Sequence, residues 1–210
     1  TLQQSSAASD VYKRQKIDVI NFLLKKMDII IIGGAMANTF VAAKGLDVGT
    51  SLFEKECIDL AKELIEKSQN NNCNLILPTD FIVSKNLKKN AEYTTANFDS
   101  LPHNMMALDI GPKSIELINK NINNCKTILW NGPLGAFETY PFDKGTNKVA
   151  SHVSSLTKQK KILSVAGGGD TVSALNNAKV LNDFSYVSTA GGAFLEWLEG
   201  KVLPGIEPIS

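Results

Sequence analysis

Hydrophobic and polar positions along this chain alternate between two periods. From Lys16 to Met27, Ile17, Ile20, Leu24 and Met27 recur at helical spacing. Asp28–Ile32 is a short apolar run rich in β-branched residues, the pattern of a strand buried on both faces. The same exchange continues down the chain. Helices are predicted over 35–44, over 51–69 with Ser51 as cap and Glu54 closing a capping box, over 112–122, around Thr146–Leu156, and over Thr171–Leu181. Strands are predicted at Asn74–Pro78, Ala107–Gly111, Lys126–Trp130, Lys161–Val165 and Tyr186–Ser188. A looser Asn- and Lys-rich stretch fills 84–104, and a last helix, "AFLEWLEG", ends at Gly200. Strands alternating with helices over most of the length predict an α/β fold: a doubly wound, Rossmann-like parallel sheet with helices on both faces.

The first fifteen residues, "TLQQSSAASDVYKRQ", follow neither period and lack the apolar centre of a secretory signal. We expect residues 1–15 to be a disordered or artefactual leader and 16–210 to form the domain.

Glycines punctuate the strand ends. Gly33-Gly34, Gly111, Gly132, Gly167-Gly168-Gly169 and Gly191-Gly192 each follow a predicted strand. In a parallel α/β sheet those ends share one edge, the edge on which open α/β folds bind ligands. A rim of bare backbone followed by helix starts offers N–H groups without internal partners, and it suits phosphate.

"SVAGGGDTVSAL" sharpens this, because Asp170 follows the glycines directly. A carboxylate beside phosphates is repelled unless a divalent cation lies between them, and Mg2+ commonly takes one or two carboxylates plus phosphate oxygens. Asp170 as metal ligand and Asp170 as a plain helix cap stand level on these residues alone. Thr171 can offer a hydroxyl to phosphate. In "WNGPLGAFE", Asn131 and Glu138 are the polar handles of a rigid turn; Glu138 suits ribose hydroxyls or simply open water. Phe137 and Phe142 read as core. Neither a phosphate loop ending in Lys-Ser/Thr nor a dinucleotide fingerprint is present, which argues against an NAD-dependent dehydrogenase.

Composition adds exclusions. A net charge of +1 gives no reason to expect nucleic acid or an acidic membrane surface as partner, and no apolar run nears the ~18 residues of a membrane span. Cys57, Cys73 and Cys125, odd in number and scattered, read as reduced structural thiols of a cytoplasmic protein.

"IIGGAMANTF", "GTSLFE", "LDIGPK", "WNGPLGAFE", "GGGDT" and "STAGGAFLEWLEGKVLPG", in this order, resemble the C-terminal domain of phosphoglycerate kinase from about Lys16 to the end. That resemblance implies phosphoryl transfer between 1,3-bisphosphoglycerate and ADP, giving 3-phosphoglycerate and ATP in glycolysis. It implies an Mg-nucleotide site at Lys16, Ala107, Asn131, Glu138, Gly168, Gly169, Asp170 and Thr171. Asp170 would hold Mg2+, Glu138 the ribose and Lys16 a phosphate, while Gly169 and Gly192 would line the path of the transferred group. Ala107 and Ala190 stand where the family usually has glycine, and the glycine turn that precedes Lys16 in the family is replaced by "SSAASDVYKRQ". The family's N-terminal domain, which carries the phosphoglycerate site, has no counterpart here. We therefore expect a monomeric nucleotide-binding half with negligible turnover by itself. A non-catalytic nucleotide-binding remnant is the alternative, and coding sequence upstream of Lys16 discriminates the two.

Overall fold

Short β-branched runs bounded by glycine make the parallel strands, and amphipathic segments cross between them. The structure, a computed structural model, describes residues 19–188. After helical residues at 19–23 come β1 (Ile29–Ile31), α1 (Gly34–Ala43), a 3-10 turn (Lys55–Cys57), α2 (Ile58–Asn70) and β2 (Asn74–Ile76). Next are β3 (Asp80–Ser84), β4 (Thr94–Asn97), β5 (Met106–Ile110) and α3 (Pro112–Ile122). The described chain closes with β6 (Thr127–Trp130), α4 (Lys144–Lys158), β7 (Leu163–Gly167), α5 (Gly169–Asn177) and β8 (Tyr186–Ser188).

Parallel pairing joins β1 to β2, with Ile30 opposite Leu75, and runs through β6, β7 and β8, with Leu129 opposite Val165. Each crossover is a helix, as parallel neighbours require. Two clusters form the core. One gathers Leu24, Phe40, Val41, Leu64, Phe81 and Val83, largely from α1, α2 and β3. The other gathers Ile110, Ile118, Val149, Val153, Ala166 and Leu175 from α3, α4, α5 and the strands beside them. Burial of each such large side chain contributes about 1.5–3 kcal/mol. Phe142 is fully buried, as expected, whereas Phe137 is half-buried. No helix among the described residues is long and apolar enough to cross a membrane.

The mixed α/β architecture matches the expectation, but several local readings need correction. The loose stretch at 84–104 holds one unforeseen strand, β4, which joins β3 and β5 in a third, antiparallel sheet of order β4-β3-β5. Strand β4, "TTAN", buries only Ala96, so it has no apolar alternation to detect. Strand β5 belongs to that antiparallel sheet, so Gly111 is not the end of a parallel strand. Ser51 and Glu54 do not cap α2, which starts at Ile58. Ser51 Oγ instead accepts the Ala107 N–H at 2.8 Å, and the Glu54 N–H donates to Thr39 Oγ1 at 3.0 Å. Tertiary partners outcompete the local cap. Helix α5 starts two residues earlier than predicted and stops at Asn177.

Candidate functional site

Three of the five glycine turns meet. The N–H of Gly34 donates to the carbonyl of Leu134 at 3.0 Å, which joins the end of β1 to the loop after β6. That loop is joined in turn to the end of β7. Gly132 N–H donates to Thr171 Oγ1 at 2.6 Å, and Asn131 Nδ2 donates to the Gly167 carbonyl at 3.3 Å. Gly168 takes φ +96°, a region only glycine enters cheaply, and there the chain leaves β7 and starts α5.

Around this rim the glycines serve two purposes. At Gly33 an added Cβ would collide with Leu134, so that glycine serves packing. At Gly132 and Gly169 an added Cβ would meet nothing within 4 Å among the described residues, so the backbone there faces space that they leave open. The amides of Gly169, Asp170 and Thr171, the first turn of α5, find no acceptor among the described residues. They carry the positive end of the helix dipole toward that space. Asp170 is exposed, and its carboxylate has no hydrogen bond or ion pair among the described residues.

Asn131 is exposed beside Gly168, and among the described residues its Oδ1 has no hydrogen-bond partner. Thr171 is placed differently from the expectation. Its side chain is buried and its oxygen accepts the Gly132 N–H, so the hydroxyl holds the loop onto α5. Glu138 is exposed. Its neighbour Phe137 offers its carbonyl to Asn177 Nδ2 at 3.4 Å, at the far end of α5, which puts this segment about 12 Å from Gly169 by helix rise. Ala107 is half-buried in β5 opposite Val83, and the next residue, Leu108, accepts the Ala136 N–H through its carbonyl. Lys16, Ala190, Gly191 and Gly192 lie outside the described residues.

Two buried carboxyls were missed from the sequence. Asp80, wholly buried, reaches from β3 to the start of α3. Its Oδ2 accepts Lys113 N–H at 3.1 Å, and its Oδ1 accepts Ser114 N–H and Ser114 Oγ–H, both at 2.7 Å. Gly111 makes room for it, since a Cβ there would fall inside the carboxyl. Asp109 is buried in β5. Its Oδ2 accepts Gly145 N–H at 2.6 Å and its Oδ1 accepts Ile110 N–H at 2.9 Å. Burial pushes its pKa up to about 7; the two N–H bonds oppose that rise and the nearby Asp143 adds to it. A lone Asp inside an apolar strand, "ALDIG", was the available signal.

A divalent cation fits Asp170 only if a ligand supplies most of its oxygens. The described residues hold no group of three acidic, His or Cys side chains that would build a protein-made cage. That is the donor set of a cation arriving with phosphates. A shallow groove along β2, between Lys44, Phe98, Leu117 and Asn121, shares none of the rim residues.

The family model described as phosphoglycerate kinase matches residues 13–201. The chain belongs to the phosphoglycerate kinase family. It is 54% identical over 194 residues to the phosphoglycerate kinase of Methylorubrum extorquens (strain PA1), covering 92% of this chain and 48% of that protein. Against the phosphoglycerate kinase of Brucella melitensis it is 53% identical over 192 residues, with the same 48% covered. Among solved structures, phosphoglycerate kinase from Coxiella burnetii superposes with a TM-score of 0.87 at 43% identity, over 91% of this chain and 48% of that one. The enzyme from Pyrococcus horikoshii OT3 superposes with a TM-score of 0.76 at 26% identity, over 92% and 48%. This chain thus spans about half the length of the phosphoglycerate kinases it matches.

Proposed function

We propose that this chain supplies the Mg-ADP/ATP site for phosphoryl transfer between 1,3-bisphosphoglycerate and ADP. The observation that carries the reading is the open first turn of α5. Amides of Gly169, Asp170 and Thr171 without an acceptor among the described residues stand beside a carboxylate that none of those residues engages, in a phosphoglycerate kinase family chain. Loose phosphoryl transition states need positioning and charge neutralisation more than covalent chemistry, and backbone amides supply both at no reorganisation cost.

Each residue has a role of its own. Gly168 turns the backbone so that the amides of Gly169 and Asp170 face the phosphates, and bare Cα atoms allow close approach. Asp170 holds Mg2+, which when bound neutralises phosphate charge between carboxylate and nucleotide. Asn131 lines the phosphate path from the neighbouring strand, joined by Gly192 and Lys16. Glu138 accepts the ribose hydroxyls. Its displacement of about 12 Å along α5 supports a ligand of nucleotide length over a lone phosphate. Ala107 lies behind the loop and shapes the pocket wall. The phosphoglycerate substrate belongs to the half of the family's length that these residues do not match, so the 210 residues by themselves are expected to turn over negligibly. The parent enzyme is expected to be a cytoplasmic monomer.

Calorimetry of Mg-ADP with the chain and with Asp170→Ala tests the assignment. We expect measurable binding for the unmodified chain, at least tenfold weaker in the variant, and a difference that vanishes when EDTA replaces magnesium. Equal affinity of the two chains in magnesium rejects Asp170's role.

A further inference from the structure

We propose that Asp109 is a positioning residue: its ionised carboxyl ties the start of α4 and strand β5 to the Gly132–Phe137 loop, and so fixes where Asn131 and Glu138 stand. Only the last readout below rests on the nucleotide reading.

The geometry is specific. One oxygen of Asp109 accepts an N–H from Gly145, in the first turn of α4, and the other accepts the N–H of Ile110 on its own strand. Both oxygens therefore face donors, which suits the anion. A neutral acid leaves one of those N–H groups with only a weaker hydroxyl acceptor, and an amide turns its NH2 toward one of them and loses that bond. The third neighbour is the loop. A Cβ at Gly135 or at Gly145 would collide with Asp109, so two bare backbones close on the carboxyl. Further bonds make the loop follow. Leu134 N–H donates to Thr146 Oγ1, one residue after Gly145, and Ala136 N–H donates to the Leu108 carbonyl, one residue before Asp109. A shift at Gly145 thus passes into the segment between Asn131 and Glu138.

Buried and beside Asp143, this carboxyl titrates near neutral pH, where both of its states are populated. The other charged groups on the packed elements are otherwise placed. Asp80 on β3 is engaged by α3, Glu138 on the loop is exposed, and α1 carries no charge. On α4, Lys148 is exposed and the ammonium of Lys144 lies over the rings of Tyr93 and Tyr140, at 5.4 and 5.1 Å. The sign of the linkage follows from the raised folded pKa. This group's contribution to fold stability is complete below its free value and is lost as pH rises through about 7. The ionised tie is held at a cost to stability, as groups kept for a site often are.

The test follows the Gly145 amide resonance of the full chain from pH 5.5 to 8.5. We expect a midpoint near 7 in the unmodified chain, no titration in Asp109→Asn, and a lower midpoint in Asp143→Asn. The last variant leaves Asp109 intact should the first fail to fold. Mg-ADP affinity is then compared at pH 6 and pH 8. The nucleotide's own titration is common to all chains, so the ratio of the two affinities isolates the protein. That ratio should be at least threefold larger in the unmodified chain than in Asp109→Asn, and smaller in Asp143→Asn than in the unmodified chain, in step with its lower midpoint. A flat Gly145 resonance, or one that titrates unchanged without Asp109, overturns the tie. Equal affinity ratios in all three chains overturn the positioning role. If no chain binds Mg-ADP at either pH, the nucleotide reading falls, and the Gly145 resonance still decides the tie.

Discussion

Helices α3 and α5 both begin directly after a strand and a glycine, and their first turns differ in what satisfies them. At α3 the amides of Lys113 and Ser114 are taken by the buried carboxyl of Asp80, and Pro112 has no N–H to satisfy. At α5 the amides of Gly169, Asp170 and Thr171 have no acceptor among the described residues. Both starts carry the same half-charge of helix dipole. The fold supplies its own anion to one and, among the described residues, none to the other. Helix α4 sides with α3, since Asp109 reaches Gly145. A glycine between strand and helix is therefore not a ligand signal by itself; a carboxyl arriving from elsewhere decides.

Asp80→Ala is the strongest way to break this comparison. It strips three donors at once, in a site with no exposure, and unsatisfied buried donors cost about 1–3 kcal/mol each. Partial relaxation lets some reach water, so we expect a loss of ~3–5 kcal/mol in urea unfolding. Mg-ADP affinity of the folded variant should be unchanged. A loss under about 1 kcal/mol would put the two helix starts on the same footing.

Paired glycine substitutions sharpen the contrast. Gly111→Ala drives a methyl into the Asp80 carboxyl, an overpacking that costs about 1–3 kcal/mol. Gly169→Ala meets open space, and the shorter menu of unfolded conformations should raise stability by ~0.5 kcal/mol. Affinity for Mg-ADP should move the other way: unchanged for Gly111→Ala, at least tenfold weaker for Gly169→Ala. Two variants with the same ranking in both measurements would erase the distinction between packing and open glycines.

The sequence carried one side of the comparison well. Five strand-end glycine turns and "GGGDT" pointed to the rim, and Asn131, Gly168 and Thr171 do converge there, because Asn131 and Gly168 directly follow their strands, Thr171 lies in the first turn of α5, and parallel strands align their ends. The other side was hidden. Asp80 lies 34 residues before Ser114, and nothing in "TDFIVS" tells which helix start its carboxyl reaches. Its strand was overlooked because the pairing partner, "TTAN", is mostly exposed and polar. Ser51 and Glu54 show the same limit in reverse. Their local pattern fits a capping box, but Ala107, 56 residues on, takes the Ser51 hydroxyl. Local patterns set element type here, while long-range polar partners decide which ends stay open.

Thr171 joins the two sides of the rim and yields the smallest expected effect. Its buried oxygen accepts the Gly132 N–H at 2.6 Å, so the loop after β6 is referenced to the first turn of α5. Thr171→Val keeps the shape and removes the acceptor, which leaves that amide short of a partner. The cost should be ~1–2 kcal/mol in urea unfolding. Because Gly132 sits at φ +94° with nothing above it, the loop has few other restraints at this point and should drift. Mg-ADP affinity should then fall about three- to fivefold, or ~0.7–1 kcal/mol. Thr171→Ser keeps the oxygen and loses a buried methyl, so it should recover the affinity while giving up stability. That crossing of the two readouts separates a loop tether from ordinary packing. If serine and valine weaken binding equally, the methyl matters and the hydrogen bond to Gly132 does not hold the rim together.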